Sequence, residues 1–581
     1  MSHRRLTIPA ALVGAACIAL APAFAEASTA SHAATTHSTT VLSSSTAKAV
    51  TAAAAKAKGY RTFSSPASHS KLVTHKAATA SAATDPNPDL AVAINGGVTS
   101  ARGVELILSI TGYTTTTTDG LSVTVDWGDG ESSTGSNTGT TPAYTHEYSS
   151  LGTYTITVTV TDNEGDTVTN SIAGATTWGS EYTAYGPVRI LDTRTGLGES
   201  SAAAVAADGT LKLQVTGAGT TGDTIPTGIT AVALNVTAVS PTANGVLTVY
   251  GDQDVEGDTL SNPGTSNLNF RTGQNVPNLV IVPVGANGVV DIYNGSKGKT
   301  QVLADVAGYF TSTNTDKYVA ISPARILDTR KGIGTGGTVA QIPAKGSVTL
   351  TVAGSDSGTI PSTGVSAVAM NLTAVGGTKN GVITAFPTGE STPTVSNLNY
   401  STGQTIANMS IVPVSSSGQV TFYNNSSGSV DLLADADGYY SSTTTVSTAS
   451  AYVAQAEPIR ILDTRSADSL IQLAGPLKTG TIYDVPFGAE SYETGEVFNA
   501  TVVSGTGNGF VSLYPFDPSS PTALPSTSNL NYMTNETVPN LAITTLGTTA
   551  DSDGLYDLGI YLGGSGNAQL ILDWFGEFQD Q

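Results

Sequence analysis

The chain has 581 residues, a soft prior for about four domains, and a formal net charge of −21 with only 12% charged residues. That acidic balance argues against nucleic-acid backbones as partners, because those need stripes of Lys and Arg. The chain is rich in Gly, Thr and Ser, too polar for a membrane protein, and its recurrent β-branched runs argue against disorder overall.

Residues 1–25 read as a secretory signal. MSHRR is a basic start, LTIPAALVGAACIALAP is apolar, and Ala23-Phe24-Ala25 is an A-x-A cleavage site before Glu26. The single cysteine, Cys17, lies inside this signal, so the domains of the mature chain are expected to hold without disulfides. No later run reaches the ~18–20 apolar residues of a transmembrane segment. The expected location is secreted, extracellular. Residues 26–85 are rich in Ala, Ser and Thr with scattered lysines and few core formers, which predicts a disordered N-terminal leader acting as a linker.

Residues 86–177 alternate strand and turn. TYTITVTVTD has the period of two that marks a half-buried antiparallel strand. The segment carries Trp127-Gly128-Asp129-Gly130, His146-Glu147-Tyr148, Gly152-Thr153-Tyr154 and Asp162 through Gly165. These residues resemble the signature of the PKD (polycystic kidney disease) domain, an Ig-like β-sandwich. The resemblance implies a spacer or binding module of a secreted protein, with no catalysis of its own.

Three copies of one unit follow, at 181–312, 317–442 and 451–581. RILDTR begins at Arg189, Arg325 and Arg460, a spacing of 136 and then 135 residues. Each copy continues with an Asn-x-Thr strand (ALNVTAV, AMNLTAV, VFNATVV), an NG turn, SNLN, a Pro-Asn or Ala-Asn strand, and a closing LADVAGYF, LADADGYY or LDWFGEF. Short β-branched segments between turn signals predict antiparallel β-sandwich or barrel modules of about 8–10 strands. The fold class expected is therefore all-β: an Ig-like sandwich, then three tandem modules standing separately in a row. The units resemble the RILDTR-type repeats of secreted actinobacterial proteins, some of which are attached to cell-wall hydrolases. That resemblance implies an extracellular accessory module and names no ligand.

From residue 86 onward there are eight arginines, and six of them stand in RILDTR. On an extended strand Arg189 and Leu191 would face one way and Ile190, Asp192 and Arg194 the other. Arg189 then needs a partner elsewhere, and Asp305 in the closing strand offers one. The same holds for Arg325 with Asp435 and for Arg460 with Asp573, while Asp328 with Arg330 and Asp463 with Arg465 repeat the local pair. A guanidinium grips a carboxylate through two parallel hydrogen bonds that lysine cannot copy. Two readings stand: a fastener that locks the first strand to the last, or a site that grips a sugar or peptide beside Tyr185, Tyr309, Tyr439 or Tyr440. The third copy keeps the charges, loses the Gly-rich loop and has Glu577 near the tyrosine position. The recurrent Asn residues of SNLN, with Asn278, Asn408 and Asn540, read as partners for backbone groups at turns or as sugar ligands.

His146 is the only histidine beyond the signal and leader, so Ser-His-Asp, Cys-His and His-ligated zinc sites are not expected, and no catalytic role or cofactor is assigned. Calcium is a weak candidate at Asp162, Glu164 and Asp166, and at Asp252 and Asp254, where acidic loops gather hard oxygens without EF-hand spacing. The expected function is a secreted non-catalytic protein that binds polysaccharide or a cell-wall glycan. The alternatives are a structural stalk and an accessory chain of a separately encoded hydrolase.

Overall fold

The computed structural model describes residues 38–41, 62–74, 89–113, 120–136, 139–163, 165–254, 257–313, 315–443, 446–466, 469–488, 492–518, 524–551 and 554–581. The signal segment lies outside them. The described chain is all-β, with two short 3₁₀ turns and no α-helix. It divides into two compact units, one built around residues 59–180 and the other around 181–580.

The first unit is a sandwich of two antiparallel sheets. One orders Thr62–Ser65, Ala91–Val98, Gly103–Thr111 and Ala143–Glu147; the other orders Lys71–Thr74, Thr167–Thr176, Thr153–Thr161, Ser122–Asp126 and Ser132–Ser136. The alternation in TYTITVTVTD sends Ile156, Val158 and Val160 into a core with Trp127, Leu106 and Leu108. Thr62–Ser65 and Lys71–Thr74 fall within the stretch read as leader, and each adds an edge strand. Their short β-branched and aromatic runs were hidden among the Ala and Ser around them. Asn170 joins this addition to the body: its side chain accepts from the Ser65 hydroxyl at 2.6 Å and donates to Val92 O at 2.7 Å.

In the second unit each repeat is an eight-stranded sandwich. In the first, the inner sheet orders Glu181–Asp192, Gln301–Thr311, Ile229–Val239 and Val276–Pro283, and the outer sheet Thr210–Gln214, Val289–Asn294, Gly245–Gly251 and Leu268–Phe270. The second and third repeats have the same order, and the third gains an outermost parallel strand, Ser38–Val41, on Thr481–Gly488. The first and last strands of each repeat are neighbours, with Arg189 opposite Asp305, Arg325 opposite Asp435 and Arg460 opposite Asp573.

The modules do not stand in a row; they close a ring. The Asn-x-Thr strand is buried along both faces. Val232, Leu234 and Val236 fill the core of their own sandwich. The opposite face, Ala231 and Ala233, joins Ala367, Ala369, Met409 and Ile411 of the second module and Val497, Leu541 and Ile543 of the third in one shared core. Burying that face removes from water what each module alone would expose, at about 25 cal/mol per Å² of apolar surface.

Six aromatic rings centre this shared core. Tyr182 of the first module stacks on Tyr440 of the second at 4.0 Å, Tyr318 of the second on Phe578 of the third at 4.1 Å, and Tyr452 of the third leans on Phe310 of the first at 5.0 Å. The hydroxyls of Tyr182, Tyr318 and Tyr452 donate to the backbone carbonyls of Ala307, Asp437 and Phe575. The glycine of each closing strand makes room for this tyrosine: a Cβ on Gly308 would meet the Tyr182 ring, and its φ of +157° belongs to the range that favours glycine.

Candidate functional site

The RILDTR charges form a repeated constellation. Arg189 Nε and Nη2 donate to the two oxygens of Asp305 at 2.7 and 2.9 Å; Arg325 does the same to Asp435 at 2.7 and 2.9 Å, and Arg460 to Asp573 at 2.8 and 3.1 Å. Arg194, Arg330 and Arg465 fork onto Asp192, Asp328 and Asp463 in the same way. The strict alternation expected of the strand fails here. A bulge between Arg189 and Leu191, repeated in the other two copies, puts both Ile190 and Leu191 into the core. It also brings Asp192 within 3.9 Å of Arg189, so each Asp of the motif faces two guanidiniums.

The electrostatics separate the two carboxylates. Hydrogen bonds from Arg194 hold Asp192 below the usual carboxylate range, and Arg465 does the same for Asp463. Burial pushes Asp305, Asp435 and Asp573 up, against the pull of their arginines. All three closing aspartates are buried.

Sequence reasoning missed where the asparagines go. Asn371 Nδ2 donates to Ser528 O of the next module at 2.5 Å, Asn499 to Ser266 O at 2.7 Å, and Asn235 to Ser396 O. The second set completes the seam: Asn408 donates to Asn235 Oδ1 at 2.9 Å, Asn540 to Asn371 Oδ1 at 2.8 Å and Asn278 to Asn499 Oδ1 at 2.8 Å. SNLN therefore serves the junctions between modules, beyond any turn of its own. The constant spacing from SNLN to Asn278, Asn408 and Asn540 was the available signal.

Of the four tyrosines considered as a binding platform, Tyr440 is consumed by the central core and Tyr439 is buried. Tyr185 and the half-buried Tyr309 lie 5.9 Å apart. Tyr185 borders an open cleft of about 570 Å³ between the first and second modules. Its wall continues through Ser366, Thr388, Glu390, Ser415 and Ser416. The Tyr185 hydroxyl is fixed by donating to Asp223 O at 2.6 Å. Tyr185 is itself buried in the core of the first module, so the exposed wall of the cleft consists of one carboxylate residue, Glu390, among Ser and Thr residues.

The acidic loops are largely committed internally. Asp162 Oδ1 accepts the Asp166 N–H at 2.9 Å, and Asp254 Oδ1 accepts the Asp258 N–H at 2.8 Å. Asp252 takes the Lys212 ammonium and the Asn287 amide, the first of which lowers its pKa. Glu164 lies outside the described residues. Among the described residues no three carboxylate, histidine or cysteine side chains converge as a metal site. His146 stacks on Trp127 at 4.8 Å and bonds Asp129 at 2.8 Å, which ties the WGDG turn to the neighbouring sheet.

Residues 87–176 match the family model of the PKD domain. No curated protein matches the chain. Among solved structures, a study of carbohydrate-binding modules from the β-sandwich superfamily supplies a chain 14% identical, with a TM-score of 0.17, matched over 39% of this chain and 99% of its own. Two structures of viral proteins, one from Sulfolobus turreted icosahedral virus and one described as a triple jelly roll of an archaeal virus, are 9% and 8% identical, both with TM-scores of 0.15, and each is matched over 69% of this chain and 90% of its own. Scores this low carry no argument about this chain, and the likeness that stands is that of residues 87–176 to the PKD domain.

Proposed function

We propose that this is a secreted, non-catalytic protein that binds polysaccharide or cell-envelope glycan through the cleft between the first two RILDTR modules. The observation that carries the reading is the cleft itself: Tyr185, Glu390, Ser366, Thr388, Ser415 and Ser416 line one open volume. Sugar sites combine an apolar face with a few fixed polar groups in this way. The RILDTR arginines support it indirectly. Their forks are spent on Asp305, Asp435 and Asp573, which leaves the cleft residues as the candidate ligand contacts. The PKD-like unit fits the role of a spacer, and the signal-like N-terminus fits secretion.

The test is a pull-down of residues 26–581 on insoluble peptidoglycan, chitin, cellulose and starch, with Tyr185→Ala and Glu390→Ala beside the native chain. Retention on one polymer that both substitutions weaken supports the reading. No retention on any polymer, with the chain folded, overturns it. The closed ring favours a second reading in that event, a purely structural extracellular scaffold.

A further inference from the structure

The third module buries two carboxylates on the outward face of its outer sheet and gives them no partner. Asp484, on Thr481–Gly488, is 1% exposed, and Asp557, on Tyr556–Gly564, is 0% exposed. All four of their oxygens lack a hydrogen-bond partner among the described residues, and so does the hydroxyl of Tyr514, itself 2% exposed. The register brings the three together. Asp484 and Tyr514 flank Gly559 from the two neighbouring strands, and Asp557 lies two residues from Gly559 on the same face. A Cβ on Gly559 would stand 2.8 Å from Tyr514 Cζ, so the phenol lies across the glycine towards Asp484. Ile482 and Phe516 wall the group with apolar surface.

The other acids nearby are occupied. Asp517 accepts from the Thr549 N–H at 2.8 Å and the Thr548 hydroxyl at 3.2 Å, and Asp551 accepts from the Leu555 N–H at 3.0 Å. They add negative potential without closing on the pair.

The other two modules show what this position requires. In the first, Lys212 holds the place of Asp484, and its ammonium pairs with Asp252 and stands 3.8 Å from Asp291. In the second, the place belongs to Thr349, whose hydroxyl meets that of Thr421, and no charge is present. The first module answers its carboxylates with a built-in cation, the second has no charge to answer, and the third has carboxylates and no lysine.

We propose that Asp484 and Asp557, with the Tyr514 hydroxyl, bind a divalent cation of the calcium class, completed by solvent oxygens. Two carboxylates and a phenol offer up to five oxygens, so one to three solvent oxygens complete the 6–8 that calcium gathers with flexible geometry, whereas magnesium demands a stricter octahedron. Without a cation the pair resists ionising: burial pushes Asp484 up to about 7 and Asp557 up to about 8, with mutual repulsion adding to the second. A divalent ion neutralises both at once. Extracellular calcium sites work at about 10⁻⁴–10⁻³ M, which suits a two-carboxylate site.

The experiment uses the mature chain and does not depend on glycan binding. Terbium, a calcium mimic whose emission nearby tyrosine sensitises, is titrated into native protein and into Asp484→Asn/Asp557→Asn, and thermal unfolding is followed in millimolar calcium and in chelator. The expected result is terbium emission displaced by calcium, and a Tm about 2–4 °C higher in calcium, both lost in the double variant. Asp252→Asn in the first module keeps both responses. The proposal is overturned if calcium leaves the native Tm at its chelator value, or if the double variant retains the full response. The neutral, near-isosteric Asn pair removes the repulsion, so the variant remains folded.

Discussion

Ser396 of the second module donates its backbone N–H to Asp305 Oδ2 of the first at 3.0 Å, on the same carboxylate that Arg189 grips at 2.7 and 2.9 Å. The third module repeats the relationship, where Asp573 accepts from the Ser266 backbone of the first. The closing aspartates of the first and third modules are therefore each shared between a clasp within the module and a clasp to the next. RILDTR and SNLN, far apart in sequence, are two sides of one junction.

Removing the arginine of that junction leaves a buried, unanswered carboxylate. Arg189→Met is expected to destabilise the ring by about 3–5 kcal/mol. Arg194→Met, whose side chain is 45% exposed, is expected to cost roughly 1 kcal/mol. Chemical denaturation of the two variants side by side checks the ranking, and equal losses would count against Asp305 as the shared clasp.

Asn371 bonds Ser528 O and Asn540 in the next module. Asn371→Ala strands both buried groups, a loss of about 1–3 kcal/mol for each left unsatisfied. Asn371→Leu should be no milder, because the carbonyl of Ser528 still lacks a donor. Faster proteolysis at the second-to-third junction is the readout, compared with Asn425→Ala on the exposed rim.

Each module uses one side for its predecessor and a different side for its successor, and the rotation closes after three. A head-to-tail contact that closes generates a ring from identical copies as well. Residues 315–443 expressed alone are expected to assemble into trimers, burying Tyr318, Ala369, Met409 and Tyr440. Light scattering reads the mass, and a stable monomer would refute the expectation.

The acids of the third module set a pH dependence in chelator. Asp484 at about 7 and Asp557 at about 8 hold protons that the unfolded chain, near 3.8, has released. The folded state then binds more protons than the unfolded, so stability falls as pH rises from about 4 to about 8 and levels off above that, by up to about 1.4 kcal/mol per pH unit for each proton. Asp484→Asn/Asp557→Asn should flatten this slope in a series of thermal melts. An unchanged slope would place the titration elsewhere.

Much of this architecture is legible in the amino-acid sequence. The period of two in TYTITVTVTD, the 135-residue repeat and the pairing of Arg189 with Asp305 all follow from local pattern plus the adjacency of first and last strands. The ring is not legible there, because a strand buried on both faces reads the same whether its second face meets its own module or a neighbour. The small residues Ala231, Ala233, Ala367 and Ala369 are the trace of that close approach. The bulge at Ile190 is invisible for another reason: β-bulges of this kind need no glycine and leave no turn signal. In the cleft, Ser415, Ser416 and Glu390 are ordinary loop residues until the fold brings them opposite Tyr185.

Covalent closure also changes the stoichiometry available to the ring. Identical subunits must repeat every groove at each of their junctions. Here the position of Tyr185 is taken by Ile321 in the second module and by Gln455 in the third. One polypeptide carrying three modules is free to specialise a single seam and leave the other two to hold the assembly together.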